Sequence, residues 1–504
     1  MDVRIGERLT LDDVLTVARD GASVLLAPPA AERVRRAREV VDRLLAAGKV
    51  VYGVTTGVGD LAGVAISAGQ AATLQLNVVR SHAAGVGDPL PRDAVRAMML
   101  LRAHTLALGH SGVRLELLDA LLAMLNADLL PVIPEKGSVG ASGDLAPLAH
   151  LALALIGEGR VLVPGGDRPA AEALGEAGLA PLRLAPKEGV ALINGTQMMT
   201  AVGALAVVRA ETLARSADVA GAMSAEALLA LPDAYDADLH RARPQRGQQA
   251  SAANLRRLLA GTRLERPAGK VQDAYALRCM PQVHGAARDG IAFARGVIET
   301  EINSVTDNPL IFPEGDRVLS GGNFHGQPVA LAMDVLAIAA ATLGTISERR
   351  IERLVNPHLS GLPGFLTADG GLNSGLMLAQ YTAAALVSEN KILTHPASVD
   401  TIPTSANQED HVSMGSIAAR KAAQVVEHIE QVVAIEALCA AQALDLRGVE
   451  QAAPAVRAAY RALRATIPPL AQDRVLADDL ARAQAMLRAG TLTEAARAVA
   501  GGLD

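Results

Sequence analysis

The stretch from His411 to Leu446 places Val425, Ile429, Val432, Ile435 and Cys439 at helical spacing. No other feature restricts the possible folds as much. A helix of that length keeps its apolar face dry only against partners along its whole length. Comparable runs precede it. They are Leu115–Leu130, ended by Pro131 and Pro134, then Asp144–Ile156, Thr196–Ala217, Pro328–Leu354 and Leu372–Ile392. The first 105 residues instead alternate short helices with glycine-rich turns, among them YGVTTGVGD at Tyr52–Asp60. Val161–Pro186 reads as a surface excursion or small hairpin, and the tail from Pro468 as short charged helices. The predicted fold is mainly α, with a smaller N-terminal globular domain over residues 1–110 and an elongated long-helix bundle over 111–504. One chain supplies only some of the partners these helices need, so a closed oligomer is expected.

Composition narrows the function classes. Half of the 504 residues are hydrophobic but only 2% are aromatic and none is Trp, so the core is built from Ala, Leu and Val. Ala and Leu favour helices and let them approach closely. The net charge is -6 with both signs mixed, which lacks the basic stripe of a nucleic-acid binder. Cys279 and Cys439 are too few for a disulfide framework, so a cytoplasmic location is expected. The opening MDVRIGERLTLDDV carries charges where a secretory signal needs an apolar run. Val329–Ile346 is interrupted by Asp334 and followed by Glu348-Arg349-Arg350, which predicts a buried core helix and not a membrane span. No HExxH motif or close His/Cys cluster is present, so no metal site is expected.

Four polar segments each precede a predicted helix start: Gly140–Asp144, Ile193–Thr196, Asn323–Gln327 and Asn407–His411. Asp144, Thr196 and Asp410 would serve as ordinary N-caps. If the segments converge, their helix N-termini favour an anion or a developing negative charge. The first lies in GSVGASGDLAPLAH, Gly137–His150. It lacks the lysine of a phosphate-binding loop and the GxSxG spacing of a nucleophile elbow. The Gly-Ser-Ser signature of aspartase and fumarase relatives is also missing. Internal cyclisation remains. The Gly143 amide nitrogen can attack the Ala141 carbonyl carbon in a tight turn that glycine permits. Loss of water closes a five-membered ring, and loss of a second water from Ser142 leaves an electrophilic methylene.

Ala141-Ser142-Gly143 in this setting resembles the signature of the aromatic amino acid and histidine ammonia-lyase family. The likeness covers nearly the whole chain. YGVTTGVGD, SHAAGVG, LINGTQ, VQDAYALRCMPQV, EINSVTDNPL, GGNFHGQP, GLPGFLT, GGLNSGLM and SANQEDHVSMG all resemble family blocks, in family order. The resemblance implies a 4-methylidene-imidazol-5-one group (MIO) made from Ala141, Ser142 and Gly143, with no external cofactor. It also implies a homotetrameric core in which three subunits build each site. Ser81-His82 and Gln408-Glu409-Asp410-His411 resemble the histidine-specific members, which implies elimination of ammonia from L-histidine to give trans-urocanate. The chemistry agrees, because a buried imidazole needs polar partners and a pocket that provides them rejects a phenyl ring. An MIO-dependent tyrosine or phenylalanine lyase or aminomutase is the alternative, and a non-catalytic helical oligomer a further one. Thr55, Val58, Ala274 and Ala276 depart from the usual family blocks.

The resemblance assigns the remaining roles. Ser142 supplies the methylene carbon. Tyr52 resembles the catalytic base, a role that requires cationic neighbours or helix dipoles at neutral pH. Arg278 resembles the clamp for the substrate carboxylate, suited by its planar fork. Tyr275, three residues earlier, shares its helical face, and Gln272 is expected about one turn further back. Asn194 resembles a contact to the MIO oxygen or the carboxylate, and Phe324 would pack beside the MIO. His82 and Glu409 are expected to meet the imidazole or amine, with Glu409 also a candidate proton relay.

Overall fold

The computed structural model describes residues 2–504. Helices dominate, and the long ones are Gln197–Ala227, Met280–Glu301, Gln327–Val355 and Gly415–Arg447. The described strands pair only in twos. A parallel pair joins Val3–Ile5 to Val24–Leu26, and antiparallel pairs join Arg160–Val163 to Gly166–Pro169 and Leu310–Phe312 to Arg317–Leu319. The second of these is the hairpin expected within Val161–Pro186. Local chemistry sets many boundaries. Thr10 and Asp13 form a reciprocal capping box at the start of Leu11–Asp20, and Gly21 ends that helix with φ 70°.

Several expected helices move at their ends. The helix predicted from Thr196 runs on to Ala227, and that predicted from Leu372 begins at Met377. The helix expected from His411 begins only at Gly415, so Asp410 is not its N-cap. Asp144 does not cap the helix that follows it either, since that helix, Ala146–Leu155, opens after Leu145 without a side-chain cap. The Asp144 carboxylate instead accepts the N–H groups of Met198 and Met199, and so caps Gln197–Ala227 from a distant segment.

The chain divides into two compact units. The first comprises Met1–Leu205, Arg295–Asp334 and Pro396–Arg420, and the second Ala206–Ala294, Val335–His395 and Lys421–Asp504. In the first, helix Arg92–Ala107 is buried at every position from Ala94 to Ala107, which makes it the central post of that core. In the second, Glu436 is fully buried and accepts from Ser224, Ser347 and Arg350 at 2.5–2.8 Å. A buried carboxylate is tolerated only with such a complete set of donors. Helix Gln327–Val355 is long and apolar enough to cross a membrane by composition, and 67% of its most apolar stretch is buried within the protein.

Candidate active site

The four polar segments meet within the first unit. A cavity of about 390 Å³ is lined by Ala141, Ser142, Asn194, Phe324, His325 and Gln408–His411. A second, of about 400 Å³, is lined by Val58, His82, Leu145, Val190, Ile193 and Ala406. Both are walled by Tyr52, Gly59, Ser142, Asn194 and Glu409, so Ser142 faces two adjoining spaces.

The Ser142 loop has an unusual backbone. Gly140 and Gly143 have φ of 74° and 75°, and Leu145, which has a Cβ, is held at 40°. A Cβ on Gly143 would overlap the Gly195 carbonyl, so no other residue fits there. The two backbones pair at this point. Asp144 N–H donates to Gly195 O at 2.7 Å, and Gly195 N–H donates to Ser142 O at 3.3 Å. A tight turn, a glycine at the attacking nitrogen and open space on the Ser142 side chain together fit the cyclised group.

Behind the loop the charge is unusual for a core. Asp144 is fully buried, and although Met198, Met199 and Ser416 donate to it, burial pushes its carboxyl up to about 7. Lys187 and Asp307 form a fully buried pair at 2.9 Å. Arg102, also fully buried, donates to the Asn194 carbonyl oxygen.

Around Ser142 the polar side chains are held by local contacts. Ser142 Oγ donates to Glu409 Oε1 at 3.3 Å, and Thr404 Oγ1 donates to Glu409 Oε2 at 2.8 Å. Glu409 sits beyond a turn in which Ser405, Ala406 and Asn407 all have positive φ. Tyr52 Oη accepts the Gly59 N–H at 3.0 Å, and Ser405 Oγ accepts the Asp60 N–H at 3.3 Å, which joins the two loops. Asn194 Nδ2 donates to Asn308 O at 3.0 Å. His82 Nδ1 lies 2.7 Å from the Val78 carbonyl oxygen. A carbonyl can only accept, so Nδ1 carries the hydrogen, and Nε2 of the neutral ring is left as an acceptor.

Gln272, Tyr275 and Arg278 belong to the second unit and line neither cavity. Tyr275 is 70% exposed. The Arg278 guanidinium stands 4.6 Å from the centre of the Tyr275 ring, so the two do share a face. Gln272 is not a further helical turn back, because the helix begins at Tyr275 and Gln272 lies in the irregular stretch before it. Sequence reasoning missed Arg102, Thr404 and Asn308. Arg102 had a signal: it is the one Arg, Lys, Asp or Glu in the stretch MMLLRAHTLA.

A profile of the aromatic amino acid lyase family matches residues 9–465. Histidine ammonia-lyase of Symbiobacterium thermophilum is 58% identical over 504 residues, covering 100% of this chain and 99% of the relative. The crystal structure of histidine ammonia-lyase from Trypanosoma cruzi superposes with a TM-score of 0.93 at 47% identity, covering 99% of this chain and 96% of that one. Tyrosine aminomutase from Streptomyces globisporus superposes with a TM-score of 0.94 at 41% identity, covering 98% of each chain. By profile, sequence and fold, the chain belongs to the aromatic amino acid lyase family.

Proposed function

We propose that the chain is a histidine ammonia-lyase, removing ammonia from L-histidine to give trans-urocanate. The observation that carries this reading is that His82 and Glu409 both line the cavity that Ser142 faces. Both present polar atoms where an aromatic-specific pocket needs apolar ones. The His82 Nε2 acceptor suits an imidazole N–H, and a Glu409 oxygen suits the other ring nitrogen or the amine. A phenyl ring there would strand both groups without partners. The 58% identity to a histidine ammonia-lyase supports the same substrate.

Ala141, Ser142 and Gly143 close autocatalytically into the MIO, and Gly195 N–H and Asn194 hold its surroundings. Once formed, the group would supply an electrophilic methylene, the chemistry that would make the substrate amine a better leaving group. The chain's own residues do the rest. Tyr52, placed by the Gly59 N–H, takes the β-hydrogen. Glu409, fixed by Thr404, takes the proton the amine releases. Phe324 packs one side of the space. Arg278 clamps the substrate carboxylate, with Tyr275 stacked on it and Gln272 nearby. These three reach a site through assembly of a homotetramer with shared active sites.

The test is ultraviolet absorbance of purified protein with L-histidine, L-tyrosine and L-phenylalanine in parallel, beside Ser142→Ala and an intact-mass measurement. Urocanate from histidine alone, lost in Ser142→Ala, with a wild-type mass short by two waters, is expected. Coumarate or cinnamate would remove the roles given to His82 and Glu409. No product and a full mass would leave an inert oligomer.

A further inference from the structure

Arg102 and Arg350 are both fully buried arginines, yet Arg102 makes one hydrogen bond, to the Asn194 carbonyl oxygen. Its Nε and Nη2 have no partner among the described residues. Burial lowers it to about 10, so it stays charged at neutral pH, helped by the nearby Asp307 and Asp144. Asp307 is itself bound to Lys187, so the region behind Asn194 gathers Arg102 and Lys187 near Asp307 and Asp144. A buried cation with idle donors adds little to stability and leaves desolvation unrepaid.

Its one contact has a consequence further along the chain. The Asn194 carbonyl and the Gly195 N–H belong to the same peptide group. That N–H donates to the Ser142 carbonyl oxygen. A cation on one end of an amide draws electron density toward it and sharpens the N–H at the other end as a donor. Gly195, with φ 142° and no side chain, leaves room for this approach, since a Cβ there would lie 2.8 Å from Arg102 Nη1. We propose that Arg102 is a positioning residue for the reaction, acting through the Asn194–Gly195 peptide to stabilise negative charge on the Ser142 carbonyl oxygen. The inference rests on the reading of Ser142 as the electrophilic carbon. When a nucleophile adds at Ser142 Cβ, the new bond forms as the Cβ=Cα π pair moves through Cα onto that oxygen. The proton released by an amine passes to Glu409. The donor therefore lies where the charge arrives.

Two variants test this, Arg102→Met and Arg102→Gln. Each is first checked by intact mass and thermal unfolding. The rate of 2-mercaptoethanol addition without substrate is then followed by loss of near-ultraviolet absorbance, and kcat and KM for L-histidine are measured. Removing a whole oxyanion donor costs about 10²–10³-fold, and here the donor remains but weakens, so addition is expected to slow about tenfold to hundredfold. The loss of two waters should stay complete, kcat should fall in parallel, and KM should hold within about twofold. Thiol addition at the wild-type rate overturns the proposal. So does a full-mass variant, which would assign Arg102 to ring closure, and so does failure of both variants to fold, which would assign it to the core. A wild-type chain of full mass would instead remove the reading of Ser142, and the inference with it.

Discussion

Gly143 carries two constraints at once, a φ of 75° and a Cβ direction blocked by the Gly195 carbonyl. Left-handed backbone alone costs an alanine about 1–2 kcal/mol. The overlap adds to this, and the neighbouring segment must move to relieve it. Gly143→Ala is therefore expected to leave the chain at full mass and without lyase activity, even where circular dichroism shows native helix content. A second residue sets an acid limit. His104 is fully buried, accepts the Gly6 N–H at 3.2 Å through Nδ1, and is lowered to about 4 by burial. Its folded form refuses a proton that the unfolded form takes at about 6.5. Stability is thus fully present above about pH 6.5 and is lost as pH falls toward 4, by an amount on the order of 3 kcal/mol. Urea unfolding at pH 7 and pH 4.5 should show this loss, and His104→Gln should shrink it. An unchanged difference would place the acid sensitivity elsewhere.

At the scale of single elements, helix Met377–Leu393 has an apolar surplus. Only Ala379, Ala383 and Asn390 of its 17 residues are buried, while Leu378, Tyr381 and Ile392 are 52%, 58% and 75% exposed. Such a helix is half of a packing interaction. Leu378→Asp with Tyr381→Glu should leave helix content intact and shift sedimentation from the proposed four-chain species to smaller ones. An unchanged mass would remove this helix from the interface. Asp144 illustrates another property of elements, since it caps a helix through Met198, 54 residues away in sequence. Asp144→Ala leaves Met198 and Met199 N–H groups without their acceptor. It should cost about 1–2 kcal/mol in urea unfolding.

For the whole molecule, the proposed sharing of active sites between subunits makes a prediction of its own. Ser142→Ala and Arg278→Met each remove one part of the proposed site, and the two residues lie in different units of the chain. Co-expressed, the two inactive variants should form mixed oligomers in which some sites draw both intact residues from different subunits. Partial activity on co-expression, absent when the purified variants are simply combined without exchange, is the expected outcome. Persistent inactivity would mean that each chain completes its own site.

Helix content and the family were legible in the sequence, because the first depends on local spacing and the second on an ordered set of short blocks. Apolar periodicity located three of the four long helices but not Met280–Glu301, and the predicted starts at Leu372 and His411 gave way to Met377 and Gly415. Cap and turn energies are small beside tertiary packing, so tertiary contacts decide where a helix begins. The sequence posed the convergence of the four segments only as a condition, and the fold brings all four to one cavity. Tertiary structure alone decided what stands behind them. Arg102 against the Asn194 carbonyl, Asp144 on a distant helix and Thr404 on Glu409 join residues far apart in sequence or folded back by a strained turn. Hydrogen bonds and buried charges take their strength from geometry and from exclusion of water, and both exist only once the chain has closed around them.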